Sequence, residues 1–402
     1  MNAKPSTPGS QSSLRESNRA RIVEAIRQFG GLTQVELAGA TGLSTATVSN
    51  IVKELATLGV INTSPSTRSG RRAQYVTLAR SAGLVGAVQI DVRQMRVALA
   101  DSAGTILAEH KLPLGIDHRA DAGLDRAALL ISDMLENVDA EQAELNCVTV
   151  ALPAPVDQFT GMVTSPGIMR GWDNIEVATV MSERINKPVY VVNASNLGAL
   201  GELRAGAAQG AQQAMYIYAG QRIGSGLILN GELYLGASGS AGEFGHLTTN
   251  VDGQICRCGN RGCLETEAGG NVLLESLRVS HGVLTLKDML RYAQDGDIGC
   301  MRVISDAGRA IGMAAANIAN VLNPELFVIG GDLAQAGATL LDPIREAIER
   351  YALPSAADCL RVERGTLGAD AELHGAIAYG LEKLTQSPVL TGVADPNGTE
   401  NS

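Results

Sequence analysis

Apolar residues first recur at helical spacing between about Leu14 and Phe29, with Ile22, Ile26 and Phe29 on one face. Gly30-Gly31 stops that helix. Thr33-Gln34-Val35-Glu36 fits a capping box, because the Thr33 hydroxyl can accept from the Glu36 amide while the Glu36 carboxylate reaches back. A short helix follows to about Ala40, and Gly42 breaks it. Ser44 is a good N-cap for a third helix to about Leu58, whose inner face would be Val48, Ile51 or Val52, Leu55 and Leu58. Gly59 ends it. Thr67 to Arg72 reads as a turn and Gln74 to Leu78 as a strand.

The pattern then changes. Leu84–Ile90 and Met95–Ala100 read as strands, with a turn at Ser102-Ala103-Gly104. Further apolar runs fall at Cys147–Leu152, Val189–Val192, Met215–Tyr218, Gly226–Leu229 and Leu326–Ile329. Helical stretches intervene at about Asp125–Glu136, Ser305–Val321 and Leu340–Glu349. Such alternation predicts an α/β body, and its length predicts two lobes. Residues 1–13 and 387–402 are polar and are expected to be disordered. The expected division is a head over 14–80, a first lobe over 81–195 with a helix at about 371–386, and a second lobe over 196–370.

Composition removes several classes. Hydrophobic residues make up 45% of the 402, enough for several cores, and six Cys are too few for a disulfide scaffold. No apolar run is long enough to span a membrane and no signal-peptide core opens the chain, so a cytoplasmic protein is expected. Charge is unevenly spread. Residues 1–80 hold ten Lys and Arg against four Glu, a net +6, which leaves −16 on the rest of a chain whose total is −10. A basic module on an acidic body suggests that one end meets a polyanion.

Two helices around Thr41-Gly42-Leu43, a helix before them and a basic turn plus strand after them make a winged helix-turn-helix. Its second helix would enter the major groove of double-stranded DNA with its N-terminal residues facing the bases. Ser44, Thr45, Thr47, Ser49 and Asn50 offer hydroxyl and amide groups there, with Lys53 one turn on. Arg68, Arg71 and Arg72 on the wing can reach phosphates or a narrow minor groove. A winged helix used for protein contacts is the alternative.

His246 precedes Cys256-Arg257-Cys258-Gly259-Asn260-Arg261-Gly262-Cys263. One imidazole and three thiols suit tetrahedral zinc, and four protein ligands leave no open position, which points to a structural ion. A disulfide or unrelated buried thiols are the alternatives. Cys147, Cys300 and Cys359 are scattered and read as packing residues. Asn193, Glu243, His246 and Glu265 form a polar set around the loop. Taken singly, Asn193 also reads as a turn residue, Glu243 as a surface carboxylate and Glu265 as a helix-start residue.

Gly242-Glu243-Phe244-Gly245-His246 with Cys256-x-Cys258-Gly-x-x-Gly-Cys263-Leu264-Glu265 resembles the signature of the ROK family (repressors, open reading frames, kinases). The resemblance extends over about residues 14–386, and the head is similar to that of the family's DNA-binding members. It implies a two-lobed actin-like, hexokinase-like (ribonuclease H-like) fold with a small-molecule cleft, assembled as homodimers or homotetramers. It also implies that Glu243, His246 and Glu265 contact sugar hydroxyls and that His246 binds zinc.

The chain departs from the family's kinases in three places. Kinases carry Asn-Asp after the strand that ends near Val192, and the Asp is the general base. Here the run is Asn193-Ala194-Ser195-Asn196, so Ala194 holds that position. The first phosphate loop, Asp-x-Gly-Gly-Thr in kinases, is Asp91-Val92-Arg93-Gln94-Met95. The second, which begins Gly-Thr-Gly, is Gly220-Gln221-Arg222-Ile223-Gly224. Gly330-Gly331 resembles the adenosine-region glycines. A positioned base is worth ~10²–10⁴-fold in rate, so these losses predict no kinase activity. The expected function is a DNA-binding regulator, a repressor, that binds a palindromic operator and responds to a sugar or sugar phosphate in carbohydrate metabolism. A sugar kinase with a fused head and a ligand-independent DNA-binding protein are the rivals.

Overall fold

The computed structural model describes residues 11–385, apart from Gly30, Gly59, residues 69–70, residues 79–82, Val92, residues 116–117 and Pro166. The expected tails over 1–10 and 387–402 lie outside the described residues, as do the side chains of Phe29, Arg68, Arg71 and Arg72. In the head, α1 (Gln11–Phe29), β1 (Leu32–Thr33), α2 (Gln34–Thr41), α3 (Thr45–Thr57), β2 (Ile61–Arg68) and β3 (Arg71–Leu78) enclose one small core. The first helix begins at Gln11, so residues 11–13, expected to be disordered, are helical.

The Thr33 capping box forms as its spacing predicts, and the Ser44 hydroxyl caps α3 by accepting from the Thr47 amide. Val48, Ile51, Val52 and Leu55 are buried. Leu58 is not. It is 52% exposed because the helix has already ended at Thr57, and Val60 and Ile61 fill the core beyond it. The basic turn is shorter than expected, since Thr67-Arg68 and Arg71-Arg72 pair as the ends of β2 and β3.

The body holds two sheets of the same plan. The first runs β6 (Ile106–Pro113), β5 (Gln94–Ala100), β4 (Leu84–Ile90), β7 (Leu145–Leu152), β8 (Val189–Asn193). Here β4–β6 form an antiparallel meander, and β7 and β8 add in parallel. The second runs β11 (Glu232–Tyr234), β10 (Ile223–Leu229), β9 (Gln213–Ala219), β12 (Leu326–Gly330), β13 (Arg361–Arg364), again a meander followed by parallel strands. Helices α4 (Ala120–Asn137) and α5 (Val177–Ile185) cover one face of the first sheet around Leu124, Ile131 and Trp172. On the second sheet, α7 (Glu265–Ala268), α8 (Gly270–Ser276), α10 (Leu286–Gln294), α11 (Ile298–Leu322) and α12 (Ala338–Tyr351) build the largest core, to which the short α9 (Arg278–His281) and α13 (Pro354–Ala357) add no fully buried side chain. This is an actin-like body carrying a winged helix-turn-helix head.

Two helices join the lobes. α6 (Ala194–Ala205) packs on β9 and β10, α14 (Ala371–Thr385) packs on β4 and β7, and the two pack on each other. They touch through glycines. A Cβ on Gly375 would stand 1.7 Å from the Leu197 carbonyl oxygen, and one on Gly201 would stand 2.1 Å from that of Ala371. Nearby, the buried Glu202 carboxylate accepts from the amides of Ala207, Thr366 and Leu367, tying α6 to the segment that leads into α14.

Gly375→Ala forces backbone against backbone and is expected to cost ~2 kcal/mol or more of body stability. Gly39→Ala, at an exposed helical position in α2 with nothing within 4 Å of the new methyl, should instead stabilise the head by ~0.5–1 kcal/mol. Urea titration of the full chain reads both. Equal midpoints for Gly375→Ala and the parent would show that the crossing is not tight.

Candidate functional site: an interlobe cavity beside a Cys/His cluster

The cavity lies between the lobes. Its volume is about 360 Å³, within the ~300–1,000 Å³ common for small-molecule sites. Asn193, Glu243, His246 and Glu265 all line it, as do Ala194 and Ser195. β8 ends at Asn193, which caps α6. Its Oδ1 accepts from the Ser195 amide at 2.8 Å, and its Nδ2 donates to the Ala154 carbonyl at 3.0 Å and toward Glu243 at 3.4 Å. Ala194, at the first turn of α6, puts only a methyl there.

Glu243 and His246 sit on a short turn that Gly242 and Gly245 press against β10. A Cβ on Gly245 would fall 2.0 Å from the Ile223 carbonyl oxygen, and Gly242 has φ +90°. Burial, helped by the charge of Glu265, pushes the Glu243 carboxyl up to about 7. Burial lowers the His246 pKa, which favours the neutral imidazole. Glu265, at the start of α7, has both oxygens engaged. One pairs with Arg257 Nε at 3.0 Å, and the other accepts from the Ile223 amide at 3.4 Å.

Behind this wall, the ligand atoms of His246, Cys256, Cys258 and Cys263 lie within 4.8 Å of one another. The loop closes through Cys256 N donating to the Asn260 carbonyl at 2.7 Å and through a bridge between Thr248 and Cys263. Gly262 has φ +66°, and a Cβ there would stand 1.5 Å from the Asn250 carbonyl oxygen, so only glycine serves. Metal–ligand bonds of ~2.3 Å to sulfur and ~2.0 Å to nitrogen in a tetrahedron place two thiolates about 3.8 Å apart and a thiolate about 3.5 Å from an imidazole nitrogen. Cys258 and Cys263 Sγ are 3.7 Å apart, and Cys256 Sγ is 3.6 Å from His246 Nδ1. The residues present therefore fit such an ion. Cys147 and Cys300 are buried packing residues, whereas Cys359 is exposed, contrary to expectation.

Several cavity residues carried no role in the sequence reading. Arg222 donates to the Pro153 carbonyl. Asp91, Asp332 and Glu372 gather elsewhere on the wall, and Asp91 raises the pKa of both others after burial itself does. Arg222 and Arg257 stood inside quoted motifs, where a charged residue among glycines and cysteines was the available signal. Glu372, on a distant helix, left none.

In the head, Thr45, Asn50 and Lys53 are exposed along α3. Thr47 and Ser49 are half-buried, and the hydroxyls of Ser44 and Thr47 bond each other at 2.8 Å. α3 is braced from behind, since Glu54 pairs with Arg15 and Arg19 of α1. The wing arginines are placed by backbone alone, Arg68 opposite Arg71 and Arg72 opposite Thr67. No helix among the described residues is long and apolar enough to cross a membrane.

Comparison with known proteins agrees with this division. Residues 85–383 match the ROK family, and residues 16–72 match the MarR family. A glucokinase of Halalkalibacterium halodurans is 32% identical over 72% of this chain and 92% of its own. The DNA-binding transcriptional dual regulator NagC of Escherichia coli is 29% identical over 98% of this chain and 100% of its own. The crystal structure of a ROK family transcriptional regulator, a homologue of the Escherichia coli MLC protein, superposes with a TM-score of 0.79 at 24% identity, covering 94% of this chain and 99% of that one. The interlobe cavity, its Cys/His-braced wall and the extended match together establish that this chain belongs to the ROK family.

Proposed function

We propose that the chain is a cytoplasmic DNA-binding transcriptional repressor that binds a palindromic operator as a homodimer or homotetramer, senses a sugar-type effector in its cleft, and does not phosphorylate it. One observation carries the reading. α3 presents Thr45 and Asn50 in its N-terminal half, and Lys53 beyond them, to solvent while its opposite face is locked into the head core. Among the described residues none of these three side chains has a hydrogen-bond partner, which leaves them available to base edges and phosphates. NagC, which matches the head as well as the body, is a DNA-binding regulator, whereas the glucokinase match covers less of the chain.

The cavity supports the absence of phosphoryl transfer. Ala194 stands where the family's kinases hold their base, and no other carboxylate side chain replaces it in the first turn of α6. Asp91 and Asp332 flank the positions that resemble nucleotide-binding loops, and Glu372 joins them. A structural zinc ion held by His246 Nδ1, Cys256, Cys258 and Cys263 would leave the His246 Nε2–H as a donor toward the cavity. A bound effector shifts operator affinity only by its preference for one of two arrangements of the lobes.

Operator binding by the full chain is expected to weaken with salt. Four cations per head in a dimer touch ~8 phosphates, giving a log–log slope of ~−7, and a flat slope would remove the DNA claim. Arg71→Ala should lower affinity for all sequences alike, while Asn50→Ala should relax base preference by ~1–3 kcal/mol at one position. Elemental analysis should find one zinc per chain, lost in Cys258→Ser with a lower melting temperature. Metal-free protein of undiminished stability would refute the structural ion. An ATP-coupled assay over hexoses and acetylated hexosamines should show no turnover, and measurable turnover would instead favour the kinase reading.

A further inference from the structure

A second cluster of donor side chains stands apart from the cavity and the Cys256 loop. His281 ends α9, Asp297 caps α11, and Cys300 lies in the first turn of that helix. None of the three lines the cavity. Their ligand atoms, one nitrogen, one oxygen and one sulfur, lie within 4.8 Å of one another. His281 Nε2 is 3.1 Å from Asp297 Oδ2, close to the ~3.3 Å that two ligands at ~2.05 Å span in a tetrahedron. The other Asp297 oxygen accepts from the Cys300 amide at 2.8 Å, so the cap holds carboxylate and thiol on one helical turn. Gly299 leaves room for the ring, since a Cβ there would stand 3.3 Å from both His281 Cε1 and Asp297 Oδ1.

The protons around His281 can be arranged for an empty site and for a filled one. Ser280 has a single hydroxyl proton to give. Directed at His281 Nδ1, 2.7 Å away, it leaves the ring proton on Nε2, which donates to Asp297. Directed at the Leu277 carbonyl, 3.1 Å away, it makes Ser280 the acceptor for Nδ1–H. Nε2 then turns a lone pair toward the Asp297 carboxylate, and two acceptors so placed need a cation between them. One hydroxyl rotation thus separates the two arrangements. A proton could serve as the bridge, but the fully buried Cys300 thiol beside Asp297 adds a soft ligand that only a metal uses.

We infer that His281 Nε2, an Asp297 oxygen and Cys300 Sγ bind a divalent ion of the zinc type, with water as the fourth ligand. Nitrogen, oxygen and sulfur together suit zinc or cobalt, whereas magnesium and calcium take oxygen alone. Binding displaces the Cys300 proton to solvent. The side chains of His281 and Asp297 are 19% and 35% exposed, so the ion is reachable from solvent and exchanges, unlike one enclosed by four protein ligands. It ties the end of α9 to the start of α11.

Titrations of the full chain with zinc and with cobalt, read by calorimetry and absorbance, test this. The parent should take up one metal equivalent more than Cys300→Ala or His281→Gln, whatever the Cys256 loop holds. That added cobalt should bring a thiolate-to-cobalt charge-transfer band which Cys300→Ala removes. Ser280→Ala takes away the acceptor that orients the ring and should weaken the added equivalent ~10-fold or more. Excess magnesium should not compete. Equal stoichiometry in the parent and in both ligand variants would overturn the inference, and so would an added cobalt without the thiolate band. Should both ligand variants misfold by circular dichroism, Ser280→Ala decides, and an affinity equal to the parent's would then overturn it.

Discussion

The body turns on the crossing of α6 and α14. One helix belongs to each sheet, and they meet where Gly201 and Gly375 leave room for carbonyl oxygens that a Cβ would strike. Close backbone contact of this kind depends on shape complementarity, because no side chain is present to give way. Both helices begin at the cavity, α6 at Ala194 and α14 beside Glu372. The crossing therefore sets where the two walls of the cleft stand and which residues they present.

The Cys/His loop is a second constraint, local where the first is long-range. Its turns are too short and too polar to hold a shape by burial, and glycines with left-handed or crowded backbones let the thiols converge. In doing so the loop orients His246 and aims Arg257 at Glu265. The candidate metal-ligand cluster and the cavity wall thus share His246.

Charge is divided within the cleft. Ala194 puts a methyl at the start of α6, Arg222 and Arg257 stand with Glu243 and Glu265, and Asp91, Asp332 and Glu372 gather elsewhere on the wall. The basic head adds a surface suited to a polyanion. A ligand that alters lobe arrangement, coupled to a head that reads DNA, needs only a few kcal/mol of differential affinity to act as a switch.

The legible parts of the sequence were those governed by short-range chemistry. The caps of α2 and α3, the buried central strands β4, β5, β7, β9, β10 and β12, and the four metal-ligand candidates all follow from spacing along the chain. The strands that escaped, β1, β2, β6, β11 and β13, are edges of their sheets. An edge strand is half solvated and carries no continuous apolar run, and β2 even holds Pro65, whose missing donor an edge tolerates. Helix α6 also escaped, since it is buried on nearly every side and shows no polar stripe, whereas α14 falls where a helix was expected at about 371–386. By itself the sequence determined a basic winged head, an α/β body and a Cys/His cluster, because local periodicity and ligand spacing suffice for these. Only the tertiary structure decided that Arg222, Arg257, Asp91, Asp332 and Glu372 share one cavity, because residues far apart in the chain become neighbours only when two glycine-faced helices cross.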